Sequence, residues 1–500
     1  MKNLSIPLKL IEKYIFIVIL LLALLILSIN INKPFIGHHD FMSAFEGMQA
    51  RNYLKYGLWK LKFGAVSNHV QGPVEELRSF TTSYLPFLSI LISVSFSIFG
   101  IVEWAERLVP ALFTSVGALA FFLICQKLWN QKVALMASIF YILNPMFIYF
   151  GKLPAPDLPV LSMMLISFYL YTLWLEREQK LFFFLLNFSL FIGGMFGWTI
   201  IYFGPLLILH SLIVGKFQIK LLIPTLITLL TIFLQLFHSF ILTGTFLTAG
   251  QISLIKFRFI EKNFIFGGIQ FTLTNYIKQE ISWLQAYFTR VILILSSINI
   301  FFNLNKRFSL QKASLLFFLG LGVAHPIVFS RYVFVHDFLN VYLLPFLAIS
   351  AALGLLIITG VTKKLGVNRM LIFTLLVIIL ATFVFERIKF TKALLNTEMN
   401  KPGKEVAMIL NELQRKDNEA VIVSIRFKTF YEVFANYYSN YSYAVTSEES
   451  LTNELKINKY KYVIMIDEDI ADREFYNSLI KKYMHDKRGV YTLIFANKLI

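Results

Sequence analysis

The chain reads as an all-α polytopic membrane protein with about 11–13 transmembrane helices and a small C-terminal α/β domain. Three observations predict this class. Hydrophobic residues make up 57% of the 500 positions, with 52 Phe, while charged residues reach only 15%, the balance of a chain whose solvent is largely lipid. Apolar runs of spanning length occur at 14–31, 105–127, 133–150, 158–175, 181–197, 198–215, 219–242, 281–304, 313–329, 339–361 and 369–386. After Glu386 the runs shorten to strand length and charges become frequent, so a soluble domain is expected over 399–500, following a membrane domain over 1–390.

The first run follows Lys2, Lys9 and Lys13, as in a signal peptide, but no small-x-small cleavage pattern comes after it. It is read as a retained helix with a cytoplasmic N-terminus. The net charge of +18 does not point to nucleic acid, because the Lys and Arg are dispersed through short loops between apolar runs. The basic loops 126–132, 176–180, 216–220, 305–312 and 362–369 are separated pairwise by two runs and therefore share one side, which the positive-inside tendency makes the cytoplasm. An even number of crossings must then precede Gln126, so the serine-rich run 84–100 is expected to enter the membrane only part way, after Pro86. The first outer loop 32–84, the second 151–157, the long loop 243–280, the loop 330–337 and the C-terminal domain all fall outside on this count. The single Cys125 lies in an apolar run and implies no disulfide framework.

The first outer loop carries the densest polar chemistry, His38-His39-Asp40-Phe41-Met42-Ser43-Ala44-Phe45-Glu46. Phe41, Phe45 and Met48 recur at helical spacing while Glu46, Arg51 and Lys55 fall elsewhere, which predicts an amphipathic helix along the membrane surface that starts at Asp40. Asp40 has a functional reading, as polar chemistry at a membrane face, and a purely structural one as a favoured helix-capping residue. Asp157, in Pro154-Ala155-Pro156-Asp157-Leu158-Pro159 directly before a spanning run, has the same two readings. Arg331 and His336 lie in the loop 330–337, where headgroup contact is the plain reading and Arg can also fork onto an anion. His38, His39, Glu46 and His69 are residue types that ligate metals, although their spacing matches no compact motif. His210, His238 and His325 lie in or beside apolar runs, where histidines satisfied between packed helices are the default. The long loop 243–280, with Gly267-Gly268, has the profile of a lid.

In the C-terminal region, helices are expected at 404–415, 430–436, 447–455 and 471–484, and strands at 420–424, 443–446, 460–466 and 489–496. Such alternation implies a largely parallel sheet. No glycine-rich phosphate loop follows a strand, and Asp467-Glu468-Asp469 reads as a solvated charged loop.

The order Asp40, Tyr84-Leu85-Pro86-Phe87-Leu88, Phe99-Gly100, Arg107-Leu108-Val109-Pro110-Ala111-Leu112, Asn144-Pro145 and Asp157 resembles the GT-C membrane glycosyltransferases, in particular the protein mannosyltransferase and aminoarabinose transferase-like group, glycosyltransferase family 39. Val335-His336-Asp337-Phe338-Leu339-Asn340-Val341-Tyr342-Leu343-Leu344-Pro345 is similar to that group's late loop. The resemblance implies inverting transfer of a sugar from a polyprenyl-phosphate carrier to a protein, lipid or glycan acceptor at the outer face of the bilayer. It gives Asp40 and Asp157 catalytic roles, with a divalent metal ion as candidate cofactor held by the same two carboxylates; Glu46, His39, Arg331 and His336 are substrate-binding candidates. Asp40 is followed by Phe41 where protein mannosyltransferases have Glu, which leaves the sugar and acceptor open. Competing classes are an oligosaccharide polymerase or ligase and a lipid or solute transporter, although no repeated halves of the transporter kind are evident.

Overall fold

Backbone polar groups in hydrocarbon must pair with one another, and the apolar runs meet that demand as helices. The computed structural model describes residues 8–70, 73–74, 80–259, 264–266, 268–303, 308–451 and 460–499. In chain order the helices are α1 (Leu8–Leu27), α2 (Asp40–Tyr56), α3 (Phe87–Phe99), α4 (Glu103–Leu128), α5 (Gln131–Ile142), α6 (Asp157–Arg177), α7 (Lys180–Phe196), α8 (Phe203–Ile213), α9 (Leu222–Thr243) and α10 (Ala249–Phe259). A hairpin, β1 (Ile265–Phe266) and β2 (Ile269–Gln270), leads into α11 (Leu273–Asn303), α12 (Leu310–Val328), α13 (Ser330–Val333), α14 (Leu344–Lys364) and α15 (Arg369–Leu395). Among the described residues seven helices are long and apolar enough to cross a membrane, and five shorter apolar helices accompany them. This is an integral membrane protein.

Packing divides the chain into two compact units. One comprises Met1–Asn32, Thr82–Leu91 and Trp104–Leu395; the other comprises Lys33–Thr81, Ile92–Glu103 and Asn396–Ile500.

In the first unit, helices approach closely through small residues. Gly117 faces Ser162, Gly194 faces Thr231, and Gly354 faces the backbone of Leu295. The run 133–150 is interrupted: α5 stops at Ile142 and a π-helical turn, Met146–Phe150, follows. Pro145 has no N–H to continue the ladder, and the Asn144 carboxamide accepts the Met146 N–H at 2.9 Å instead. The run 198–215 opens as a 3-10 turn, Trp198–Tyr202, before α8. Helix α3 has 13 residues, about 20 Å of rise against a hydrocarbon core of about 30 Å, too short to cross on its own. The long loop 243–280 is more ordered than its sequence suggested, because α10 and the β1–β2 hairpin occupy it; Gly267 lies outside the described residues.

The second unit contains α16 (Lys401–Leu413), β3 (Ala420–Val423), α17 (Ile425–Phe430), α18 (Glu432–Tyr438), β4 (Ala444–Thr446), β5 (Tyr462–Ile466), α19 (Arg473–Lys482), β6 (Tyr483–Arg488) and β7 (Tyr491–Leu499). The sheet order is β4-β3-β5-β7-β6. Strands β4 and β5 run parallel to β3, whereas β7 is antiparallel to both β5 and β6, so the sheet is mixed rather than largely parallel. The difference lies in β6. The expected helix took in only its first two residues, Tyr483 and Met484, and 485–488 were expected in no element, but Gly489, at φ 62, makes the tight turn that folds β6 back on β7. Both faces of the sheet are covered, one by a cluster that includes Val406, Leu410, Ile422, Phe427 and Ile464, the other by one that includes Val421, Val463, Met465 and Leu479. Two of the three acids of 467–469 are partnered: Asp467 takes Lys487 at 3.1 Å and the Thr492 hydroxyl at 3.0 Å, and Asp469 takes the Ser424 hydroxyl. Ser447 starts a helical turn as expected, while 452–455 of that expected helix lie outside the described residues.

The same unit binds the first outer loop to the C-terminal region. Asn400 donates its amide to Gly37 O at 2.7 Å and its backbone N–H to Ile36 O at 2.9 Å. The Thr397 hydroxyl accepts from His38 N at 2.9 Å, and the Tyr438 hydroxyl accepts from Phe35 N at 2.7 Å. Arg51 donates to the carbonyls of Tyr437 and Ser439, and His69 Nε2 pairs with the Ser439 hydroxyl at 2.8 Å.

Two outcomes test this packing. Replacing Gly354 by Ala drives a methyl into the Leu295 carbonyl, so it should destabilise the purified protein by about 1–3 kcal/mol. Gly360, with open space around its Cα, should tolerate Ala or gain up to ~1 kcal/mol of helix propensity; equal thermal midpoints for the two variants would contradict the α11–α14 approach. The second outcome concerns pH. Burial, reinforced by Arg51 and Lys55, pushes the His69 imidazole from 6.5 down to about 4. The unfolded chain therefore takes up this proton first, and the stability held by neutral His69 is complete above about pH 6.5 and is lost as pH falls towards 4. The stability gap between wild type and His69→Gln should shrink over that window, and a gap independent of pH would refute the assignment.

Candidate active site

Asp40 is the first residue of α2, and the cap position belongs to His39, held in the left-handed region at φ 56. The Asp40 carboxylate turns back towards the preceding loop: Oδ2 accepts the Gly37 N–H at 2.7 Å and Oδ1 the Ser43 hydroxyl at 3.4 Å. Since Gly37 O is in turn held by Asn400, the loop and the carboxylate are fixed together. Helix α2 buries polar and apolar residues together: Asp40, Ser43, Glu46, Gln49 and Asn52 are buried, as are Ala44, Met48 and Tyr53, while Phe41 is 43% exposed. Asn52 donates to the carbonyls of Val66 at 2.7 Å and Asn68 at 2.9 Å, closing the loop after α2 over the helix. Glu46, fully buried, is close enough to Tyr53 to help raise the pKa of that phenol, which burial already lifts. His38 and His39 lie half-buried with ring centroids 4.1 Å apart. Imidazole and carboxylate side by side are donors that suit a divalent ion.

In the other unit Asp157 opens α6, with Pro156 at the cap position and no side-chain cap bond from it. Its carboxylate accepts the Tyr342 hydroxyl at 3.1 Å, and that hydroxyl also pairs with Thr199 at 2.8 Å. Capping therefore does not account for Asp157, which is oriented by a buried tyrosine from the 3-10 segment Asp337–Leu343. At the start of that segment Asp337 accepts the Tyr287 hydroxyl, and the Tyr287 carbonyl accepts from Arg387. That carbonyl is available because α11 is broken two residues later, at Thr289 with φ 59 and ψ 157, a conformation that costs a non-glycine residue about 1–3 kcal/mol. Arg331 lies over the Phe271 ring at 5.5 Å, and His336 packs against Tyr332 and Phe338 with ring centroids 4.4 and 5.3 Å away. His210 is satisfied between helices by Tyr171 at 3.1 Å and Ser314 at 3.1 Å, and His325 Nδ1 pairs with the Tyr202 hydroxyl at 3.2 Å. An apolar cavity of about 210 Å³ in this unit is bounded by Trp198, Leu236, Leu254 and Phe329, with Gln235 and Gln251 at its polar end.

The sequence reasoning overlooked Asp337, Tyr342, Tyr287 and Arg387 as site residues. Asp337 and Tyr342 stood inside the late-loop motif, and an ionisable residue such as Arg387 at the end of an apolar run is itself a functional signal.

Residues 84–242 match the family model described as dolichyl-phosphate-mannose-protein mannosyltransferase. The structure is similar to that of ArnT from Cupriavidus metallidurans bound to undecaprenyl phosphate, with TM-score 0.67 and 11% identity over 96% of this chain and 97% of that one. It is also similar to the Archaeoglobus fulgidus oligosaccharyltransferase in the apo form, with TM-score 0.58 and 13% identity over 95% of this chain and 73% of that one. The same oligosaccharyltransferase in complex with Zn and sulfate matches with TM-score 0.53 and 12% identity, over 96% and 73%. No curated protein matches the chain by sequence. With a mannosyltransferase sequence signature over 84–242 and this architecture along nearly its whole length, the chain has the GT-C fold of membrane glycosyltransferases.

Proposed function

We propose that this protein is an inverting glycosyltransferase that moves a sugar from a polyprenyl-phosphate donor to a hydroxyl of a protein, lipid or glycan acceptor at the outer face of the cytoplasmic membrane. The observation that carries the reading is the fold shared over 96% of the chain with a protein solved with undecaprenyl phosphate bound. In the proposed step the Asp40 carboxylate takes the acceptor's O–H proton as the acceptor oxygen bonds to the anomeric carbon. The bond from that carbon to the phosphate oxygen breaks on the opposite face, and polyprenyl phosphate leaves with the electron pair. Asp40 suits the task because the Gly37 N–H and the Ser43 hydroxyl fix its oxygens. Asp157, set by Tyr342, orients the substrates. Arg331 supplies a fork of N–H donors for phosphate, supported by His336. Glu46 and His39 complete the acceptor side. The apolar cavity beside Trp198 suits a stretch of isoprenoid chain. A divalent ion, if bound, would add positive charge against the phosphate; His38, His39 and Asp40 are donor types that suit one.

The similarity to an oligosaccharyltransferase keeps a second reading, transfer of a preassembled glycan. A donor panel of polyprenyl-phosphate monosaccharides and polyprenyl-linked oligosaccharides separates the two.

Asp40→Asn preserves shape and an acceptor for the Gly37 N–H but cannot take a proton. Transfer should fall by about 10²- to 10⁴-fold with expression and thermal midpoint held. Asp157→Asn should lower activity and weaken donor affinity. If Asp40→Asn keeps most of the activity, the base lies elsewhere, with Glu46 the next candidate. For sidedness, protease added to cells stripped of their outer barrier should remove the C-terminal domain, 399–500, while a cytoplasmic marker survives. Full protection of that domain would overturn the proposed topology.

A further inference from the structure

The second unit contains a cavity of about 310 Å³ that none of the roles above uses. Its walls come from the loop after α2, through Ser67, Asn68 and His69, from Phe80, and from α18 and the segment after it, through Asn436 and Tyr443. The chemistry is that of side-chain amides and hydroxyls. Asn436 donates to Asn68 Oδ1 at 3.0 Å, His69 pairs with the Ser439 hydroxyl, and Ser442 adds a further hydroxyl to the wall. Two aromatic rings, Phe80 and Tyr443, give it apolar surface.

Charged ligands are poorly served here. The nearby Arg51 already donates to two backbone carbonyls, of Tyr437 and Ser439. Among the described residues Glu432 is the one carboxylate in the wall; it repels an anion, and alone it is a weak cation site. What remains is a wall of alternating donors and acceptors beside aromatic faces, sized at the lower end of small-molecule pockets. A ring with hydroxyls on its edge and C–H groups on its face satisfies both surfaces.

We propose that this cavity binds an uncharged saccharide, as the acceptor-sugar subsite of the transferase, an inference that rests on the transfer reading for its role but not for the binding itself. The test uses the purified full-length protein in lipid nanodiscs without any donor. Saturation-transfer NMR is recorded with mannobiose, maltose, cellobiose and N,N′-diacetylchitobiose, and separately with glucose 1-phosphate and inorganic sulfate. At least one neutral disaccharide should bind. Ser67→Phe, which fills the cavity, and Asn436→Ser, which removes its amide, should each weaken that binding at least tenfold with thermal midpoints kept, whereas Gly360→Ala, outside the cavity, should leave it unchanged. The proposal is overturned if no neutral disaccharide binds, if binding survives both cavity variants, or if only the anionic probes bind. Saccharide binding in a protein that transfers from no polyprenyl donor would keep this proposal and remove the transferase reading; transfer without donor-free saccharide binding would do the reverse.

Discussion

The first outer loop has no regular structure between the end of α1 and Asp40, so its backbone groups must find partners elsewhere, and they find them on the C-terminal segment. Asn400, Thr397 and Tyr438 satisfy the peptide groups of Phe35, Ile36, Gly37 and His38. Each bond contributes about 1 kcal/mol net, and a buried peptide group left unpaired costs about 1–3 kcal/mol, so the clamp decides whether the loop has one conformation or many. Asp40 inherits that order through Gly37, whose N–H it accepts while Asn400 holds the carbonyl. A contact across more than 350 residues of sequence thus fixes a side chain that sequence analysis had placed in a local helix motif. Such a contact closes late in folding, because its loop entropy is met only after the membrane helices have assembled.

The membrane helices were legible because hydrocarbon imposes a coarse rule, a long run of apolar residues, and the chain obeys it wherever it spans. Local exceptions followed from residues in plain view, such as Asn144-Pro145 ending α5. The C-terminal strands β3 and β5 were equally clear, since four or five consecutive apolar residues flanked by polar ones have few other uses. Strand β6 was not, because Tyr483-Met484-His485-Asp486-Lys487-Arg488 carries its pairing information in β7 rather than in its own pattern.

For the candidate site, residue types were readable and their surroundings were not. Asp40 and Asp157 stood out as carboxylates at the ends of apolar segments. That neither is a plain cap emerges only from their partners, a loop N–H in one case and a buried tyrosine in the other. The polar contacts of α2 were hidden for a related reason. Periodicity reports which residues prefer oil and is silent on where Asn52 finds the carbonyls of Val66 and Asn68. The break of α11 at Thr289 has no sequence signal at all; threonine is a poor choice for that backbone region, and the packing around Tyr287, Asp337 and Arg387 holds it there.

The end of α1 has one more consequence. Lys152 donates to the carbonyl of Ile29, and Arg107 to that of Ile31 at 2.9 Å, so two buried cations complete the helix where its own hydrogen bonding runs out. Their charge is directed at the negative pole of a helix instead of at lipid headgroups. Between two apolar runs a lysine reads as a topology signal, yet in the folded chain the Lys152 ammonium meets a carbonyl just past α1. A count of basic residues by loop therefore weighs a charge whose partner lies inside the protein.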